Sequence, residues 1–182
     1  MTITITEALA EIKTINKRIE KKREFVLSYL YRQEGLKDPL EKDGGSVEAI
    51  RREQQAISDL ETRIVALRRG IQHANDKTEV TIKDNVMSIA DWLTWRRDVA
   101  PVVQAFMHQM RQRLAMVRET AKRGGSQVIG AMASVSTDAK PTDYVINIDE
   151  SELMRKTEEL EELLGVLDGQ LSLKNATIMI DE

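Results

Sequence analysis

The chain contains no cysteine. That absence excludes disulfides, thiolate nucleophiles, Cys-ligated zinc and iron–sulfur clusters together. Histidine is scarce, with two in 182 residues, so imidazole-based metal or acid–base chemistry has few candidates. Proline numbers three and aromatics make up 4%, which leaves a core built from aliphatic side chains. Long hydrophobic runs are also missing. The longest weakly polar run, Val128–Val135, has eight residues, against about 20 for a spanning helix. Met1–Thr6 alternates Thr and Ile and lacks the basic and apolar regions of a secretory signal, so the expected location is cytoplasmic or virion-associated. A net charge of −3 makes the chain neither a polyanion nor a cationic trap for nucleic acid.

What is present points to helix. Leu, Ile, Val and Met recur at three- and four-residue spacing among 31% charged positions, which a disordered chain lacks. The length suits one ordinary domain, read as a single helical domain over 1–182. Thr2–Thr6 alternates with period two and predicts a short strand, and Thr6 reads as an N-cap. A helix over 7–33 follows, with Ala8, Ile12, Ile15, Ile19, Val26 and Tyr29 as its apolar stripe. Residues 35–46 hold Pro39, Gly44 and Gly45 among charges and read as a flexible loop, with Ser46 capping the next helix.

That second helix, over 47–74, has the cleanest pattern. Ile50, Ile57, Ile64 and Ile71 fall seven apart, and Leu60, Leu67 and Ala74 fall three after the last three of them. Isoleucine at a and leucine at d is the pattern of a two-stranded coiled coil. The seam Ile50, Ile57, Leu60, Ile64, Leu67 and Ile71 is satisfied either by a second chain or by folding back on the first helix. Asn75-Asp76 reads as a turn, Val80 and Ile82 as a short strand, and Ser88 with Asp91 as a capping box. A third helix over 89–123 contains Pro101, which predicts a kink or two helices, the second capped by Asp98. Residues 126–148 are rich in small and polar side chains and read as a strand/loop insert with a loose hairpin. Asp149 and Glu152 form a capping box for a last helix over 150–173, and 177–180 reads as a closing strand. No repeat of fixed period is visible beyond the heptads. The fold class is mainly α: four long helices in elongated antiparallel hairpins, coiled-coil packed, with minor short strands.

Residues 96–123 hold seven Lys/Arg and two acids, while 149–182 hold ten acids and three bases. Opposite charge predicts that the third and fourth helices pack as neighbours. The basic residues Arg111, Arg113, Arg118, Lys122 and Arg123 are also a candidate partner-facing patch, and Lys13, Lys17, Arg18, Lys21, Lys22 and Arg23 form a second strip.

Tests for chemistry find no motif. A helical di-iron site needs Glu-x-x-His pairs, but Gly70 and Ala105 stand three before His73 and His108. Gly125–Gly130 has Walker A glycine spacing, yet Ala131 and Met132 occupy the Lys and Ser/Thr positions that would contact phosphate and magnesium. No Gly-x-Ser-x-Gly occurs, and Glu158-Glu159 and Glu161-Glu162 fall on the outer face of an amphipathic helix. The basic strips lack an aromatic stacking platform, which leaves only non-specific contact with nucleic acid. The expectation is therefore no enzyme, no metal and no cofactor.

The element order, with Asn75, Thr78, Arg96-Arg97-Asp98, Ile148-Asp149 and Asn175-Ala-Thr177, resembles the septicolysin family of small bacterial helical proteins. The likeness covers most of the chain and departs from it at 35–46 and 101–136. It implies a helical fold and a membrane-acting, cytolysin-like role, and carries no catalytic residues. The residues themselves favour a non-enzymatic structural or interaction protein. It would self-associate as a homo-oligomer with protein partners, as a building block of a larger assembly such as a bacteriophage virion. The cytolysin-like role and non-specific nucleic-acid binding stand as alternatives.

Overall fold

The structure is a computed structural model that describes residues 2–122 and 145–181. It is mainly α, with four long helices and short strands paired two by two. The order is β1 (Thr2–Thr4), α1 (Ile5–Ser28), α2 (Ser46–Lys77), β2 (Glu79–Ile82), β3 (Asn85–Ser88), α3 (Ile89–Thr94), a π turn (Trp95–Val99), α4 (Ala100–Lys122), α5 (Glu150–Thr177) and β4 (Met179–Asp181). The chain divides into two compact units: Met1–Ala90 with Gly169–Glu182, and Asp91–Asp168.

In the first unit α1 and α2 form an antiparallel hairpin. Ile5, Ala8, Ile12, Ile15 and Ile19 of α1 are buried together with Leu67 and Ile71 of α2 and Ile180 of β4. Ile57, Leu60 and Ile64 pack against that cluster while remaining half-buried. Ion pairs flank the core in antiparallel register: Glu11 with Arg63 at 2.9 Å, Lys22 with Glu53 at 2.7 Å and Arg23 with Glu61 at 2.9 Å. Pairs this exposed contribute about 0–1 kcal/mol each, so the aliphatic seam holds the hairpin. Gly70 lets β4 lie close to α2, since a methyl there would meet Ile180 Cδ1 at 3.3 Å.

Several boundaries differ from those the sequence predicts. The cap of α1 is Thr4, not Thr6. Its hydroxyl accepts from the Glu7 N–H at 3.2 Å, and Glu7 accepts from the Thr4 N–H at 2.8 Å. The helix ends at Ser28 rather than 33, with Tyr29 as its C-cap. Ser46 is the first residue of α2 rather than its cap. The N-cap is Gly45 at φ 87°, and Asp38 in the preceding loop accepts from the Ser46 N–H at 2.7 Å and from the Leu40 N–H at 2.9 Å. A left-handed residue next to this carboxylate favours glycine. Asn75-Asp76 is not a turn: α2 runs through Lys77 and passes directly into β2. Likewise α5 runs to Thr177 and is capped by Asp149, which accepts from the Ser151 N–H at 2.9 Å.

Pro101 neither kinks the helix alone nor starts a helix capped by Asp98. A proline lacks an N–H, and its ring crowds the carbonyl four residues before it. The π turn answers this one residue upstream, where the Ala100 N–H bonds to the Trp95 carbonyl, five back. Asp98 lies inside that turn and binds the Arg97 guanidinium at 2.8 Å. In the second unit α4 and α5 run antiparallel, as their opposite charges predict. Arg96 pairs with Asp168 at 2.9 Å, Arg118 pairs with Glu150, and Thr157 lies against Met107 Sδ at 3.7 Å.

A repeat is present after all. The order β-α-α-β occurs twice, over 2–82 and 85–181, the third helix of the series being interrupted by the π turn. The strand pairing matches in detail. β1 pairs antiparallel with β4 (Thr4 with Met179, Ile3 with Ile180), and β3 with β2 (Ser88 with Glu79, Met87 with Val80). The Ile5 N–H bonds to the Ile178 carbonyl at 3.1 Å, and the Ile89 N–H to the Thr78 carbonyl at 2.9 Å. The burial pattern of residues 61–81 recurs, residue for residue, over 161–181. Each half thus completes the strand pairs of the other. The expected hairpin in 126–148 falls mostly outside the described residues; 145–148 is irregular rather than strand.

Candidate interaction surfaces

The heptad seam on α2 has its partner inside the chain. Leu67 and Ile71 are buried against α1, with Ile57, Leu60 and Ile64 half-buried along the same contact. Ile50 sits near the start of α2, half-buried, beside Tyr29, Pro39 and Val47. The seam from Ile57 to Ile71 therefore packs against α1 in the α1–α2 hairpin.

The basic patch is not one face. Arg111 lines a small cleft with Gln104, His108, Thr157 and Glu161, so it lies on the side of α4 towards α5. Arg113, two residues on, lines a groove with Phe106, Gln109 and Met116. Residues two apart on a helix point about 200° apart, which separates the two guanidiniums. Arg118 is engaged by Glu150. Arg123 and residues 128–135 lie outside the described residues, and Lys122 is described only as the last residue of α4. In the α1 strip, Lys22 and Arg23 are paired with carboxylates of α2.

Sequence reasoning missed a second apolar stripe on α4. The first comprises Val103, Met107, Met110, Leu114 and Val117, all half-buried. One position earlier run Val99, Val102, Phe106, Gln109, Arg113 and Met116, again at three- and four-residue spacing and about 100° around the helix. Val102 is 66% exposed, Phe106 59% and Met116 52%. Among the described residues of α4, only Ala100 is buried. The distal part of this stripe faces the segment 145–148 across an open groove of about 760 Å³. The signal was available, since two adjoining heptad stripes mark a helix with more than one neighbour. From spacing alone Val99 and Phe106 fall into one stripe with Val103, Met110, Leu114 and Val117, which hides the second.

The described ionisable groups offer little chemistry. The Thr4 backbone N–H, then its hydroxyl, hold Glu7 below the ordinary carboxylate value. The Ser46 hydroxyl and N–H, then the Leu40 N–H, do the same for Asp38. Hydrogen bonds from Arg97 and Lys156 lower Asp98 and Glu152 respectively. Each is a cap or an ion pair, and none faces a second activated group. A ring nitrogen of His108 lies 2.8 Å from the Gln112 amide on its own helix. No group of three or more His, Asp or Glu able to hold a metal is found among the described residues. Asn75 Oδ1, in the last turn of α2, is a buried oxygen without a hydrogen-bond partner, and Asn175 stands at the matching position of α5.

No protein-family model matches the chain, and no curated protein matches it. The chain is similar in fold to a functionally unknown conserved protein from Corynebacterium diphtheriae, seen in a crystal structure. The match has 19% sequence identity and a TM-score of 0.50 over the whole of both chains.

Proposed function

We propose that the protein is a non-enzymatic helical interaction protein that self-associates and serves as a building block of a larger assembly. A bacteriophage virion is one setting that suits a small, cysteine-free helical chain. The observation that carries this reading is the exposed second stripe of α4. Val102, Phe106 and Met116 leave apolar side chains of α4 in solvent, a surface that suits a further helix. The site chemistry agrees, since the perturbed carboxylates serve as caps and ion-pair partners.

The membrane-acting alternative rests on residues 128–135, which lie outside the described residues. Among the described residues no helix is long and apolar enough to cross a membrane. Light scattering over a range of concentrations tests the proposal. The expected result is a mass above the monomer's 20.7 kDa that rises with concentration. A constant monomer mass up to the highest soluble concentration refutes it.

A further inference from the structure

We propose that the β1–β4 and β2–β3 ladders are interchangeable joints of a duplicated chain, and that the fold opens at whichever joint lacks a connecting turn. The two joints match at each level. Thr4 and Ser88 each stand one residue before a helix, and Glu7 and Asp91 follow three residues later. Met179 opposite Thr4 answers Glu79 opposite Ser88, and Ile180 opposite Ile3 answers Val80 opposite Met87. Asp181 opposite Thr2 answers Thr81 opposite Val86. Ile180 and Val80 are both buried. The same backbone bond closes each joint, from the Ile5 N–H to the Ile178 carbonyl at 3.1 Å and from the Ile89 N–H to the Thr78 carbonyl at 2.9 Å. The approach to each is also the same, since the burial pattern of 61–81 recurs over 161–181. The difference is the connection. Ile82 and Asn85 are paired and bridged by Lys83-Asp84, whereas β1 and β4 lie at opposite ends of the chain.

That difference decides which joint opens. Strands released from the β2–β3 ladder stay anchored at both ends, to α2 and to α3. Released β1 and β4 are each anchored at one end only, to α1 and to α5. A segment held at one end gains more conformational entropy on release than a closed loop does, so β1–β4 opens first. The Lys83-Asp84 turn is not what makes the second ladder. Lys83 holds φ 53°, a left-handed conformation disfavoured for a residue with a Cβ. The ladder therefore imposes the turn rather than the reverse, and a different connection can replace it. Burial of Ile180 and Val80 supplies each joint with its own apolar contact, whichever end of the chain it carries.

Amide hydrogen exchange at Ile5 and Ile89 tests this directly. Each is an isoleucine amide preceded by a hydroxyl residue, so protection rather than side-chain chemistry separates their rates. In the full chain Ile5 should exchange faster than Ile89 by about tenfold or more. A permutant that starts at Asp84 and ends at Lys83, with Asn-Gly linking Glu182 to Met1, moves the break to the other joint. It should regain the wild-type helical circular dichroism and reverse the order, with Ile89 now the faster. A second variant keeps the ends in place and inserts a flexible Gly-Ser stretch between Lys83 and Asp84, and there Ile89 exchange should rise towards that of Ile5. A permutant that does not regain the helical signal overturns the interchange of joints. Equal rates in the wild type, an unchanged order in the permutant, or an Ile89 rate unmoved by the insertion overturns the link between connection and opening.

Discussion

Replacing Leu67 with alanine probes the contact on which the first unit rests. Leu67 is 1% exposed and packs among the α1 isoleucines. The substitution removes three carbons, worth about 2.4 kcal/mol at about 0.8 per methylene. It also leaves a cavity that two helices held along one narrow seam close only in part. Leu→Ala changes at such sites cost about 2.7–5 kcal/mol in total. For a chain of this size 1 kcal/mol moves Tm by about 2–4 °C, so the expected fall is roughly 5–20 °C. Val65, two residues away and 57% exposed, is the control: Val65→Ala should change stability by under about 0.5 kcal/mol. Thermal melts followed by circular dichroism at two protein concentrations complete the test. Because the seam closes on α1 of the same chain, the Leu67→Ala deficit should not depend on concentration. Equal melting temperatures for both variants and the wild type would refute the packing assignment. A deficit that vanishes at high concentration would show the seam closing between chains.

Stability should fall in acid. Glu7 and Asp38 are held below their ordinary values of 4.5 and 3.8 by hydrogen bonds to their charged forms. A depressed carboxylate stabilises the fold fully above its ordinary value and loses that contribution as pH falls through its folded value. Urea melts at about pH 6 and about pH 3 should show the loss, and Thr4→Val, which removes a hydroxyl bound to Glu7, should shrink it. The same midpoint at both pH values would refute the assignment. Binding to duplex DNA, if any is detected, should be non-specific and collapse between about 50 and about 200 mM salt, because Lys22, Arg23 and Arg118 are already paired. Sequence-selective binding that survives about 150 mM salt would count against this.

The sequence by itself determined the helical class, the stripe on α2 and the charge-matched pairing of α4 with α5. Each is a periodic or summed property that local residues carry. Ile57, Leu60, Ile64 and Leu67 could be placed on one face from spacing alone, because 3.6 residues per turn leaves no other arrangement. The capping of α5 by Asp149 was legible for the same local reason. The β2–β3 hairpin was not. Its two-residue turn is Lys83-Asp84, with Lys83 at φ 53°, instead of the Asn-Gly or Asp-Gly that announces such turns. The widening of the helix before Pro101 was hidden too, since a π turn and a kink relieve the same crowding.

Only tertiary structure decided which surface meets which. A heptad stripe specifies that it will be covered, not by what. Ile12, Ile15 and Ile19 of α1 cover it here because the intervening loop lets the two helices meet without the entropy loss of bringing in a second chain. Pairing of Ile3 with Ile180 joins opposite ends of the chain, and no local signal encodes a contact at that separation. The repeat escaped the sequence because its halves share positions rather than identities. Ile64 answers Leu164, Ile71 answers Leu171 and Val80 answers Ile180, while Leu67 with Leu167 and Asn75 with Asn175 are among the few letters kept. Burial constrains a side chain's size and polarity, so the burial pattern survived where the residue identities changed.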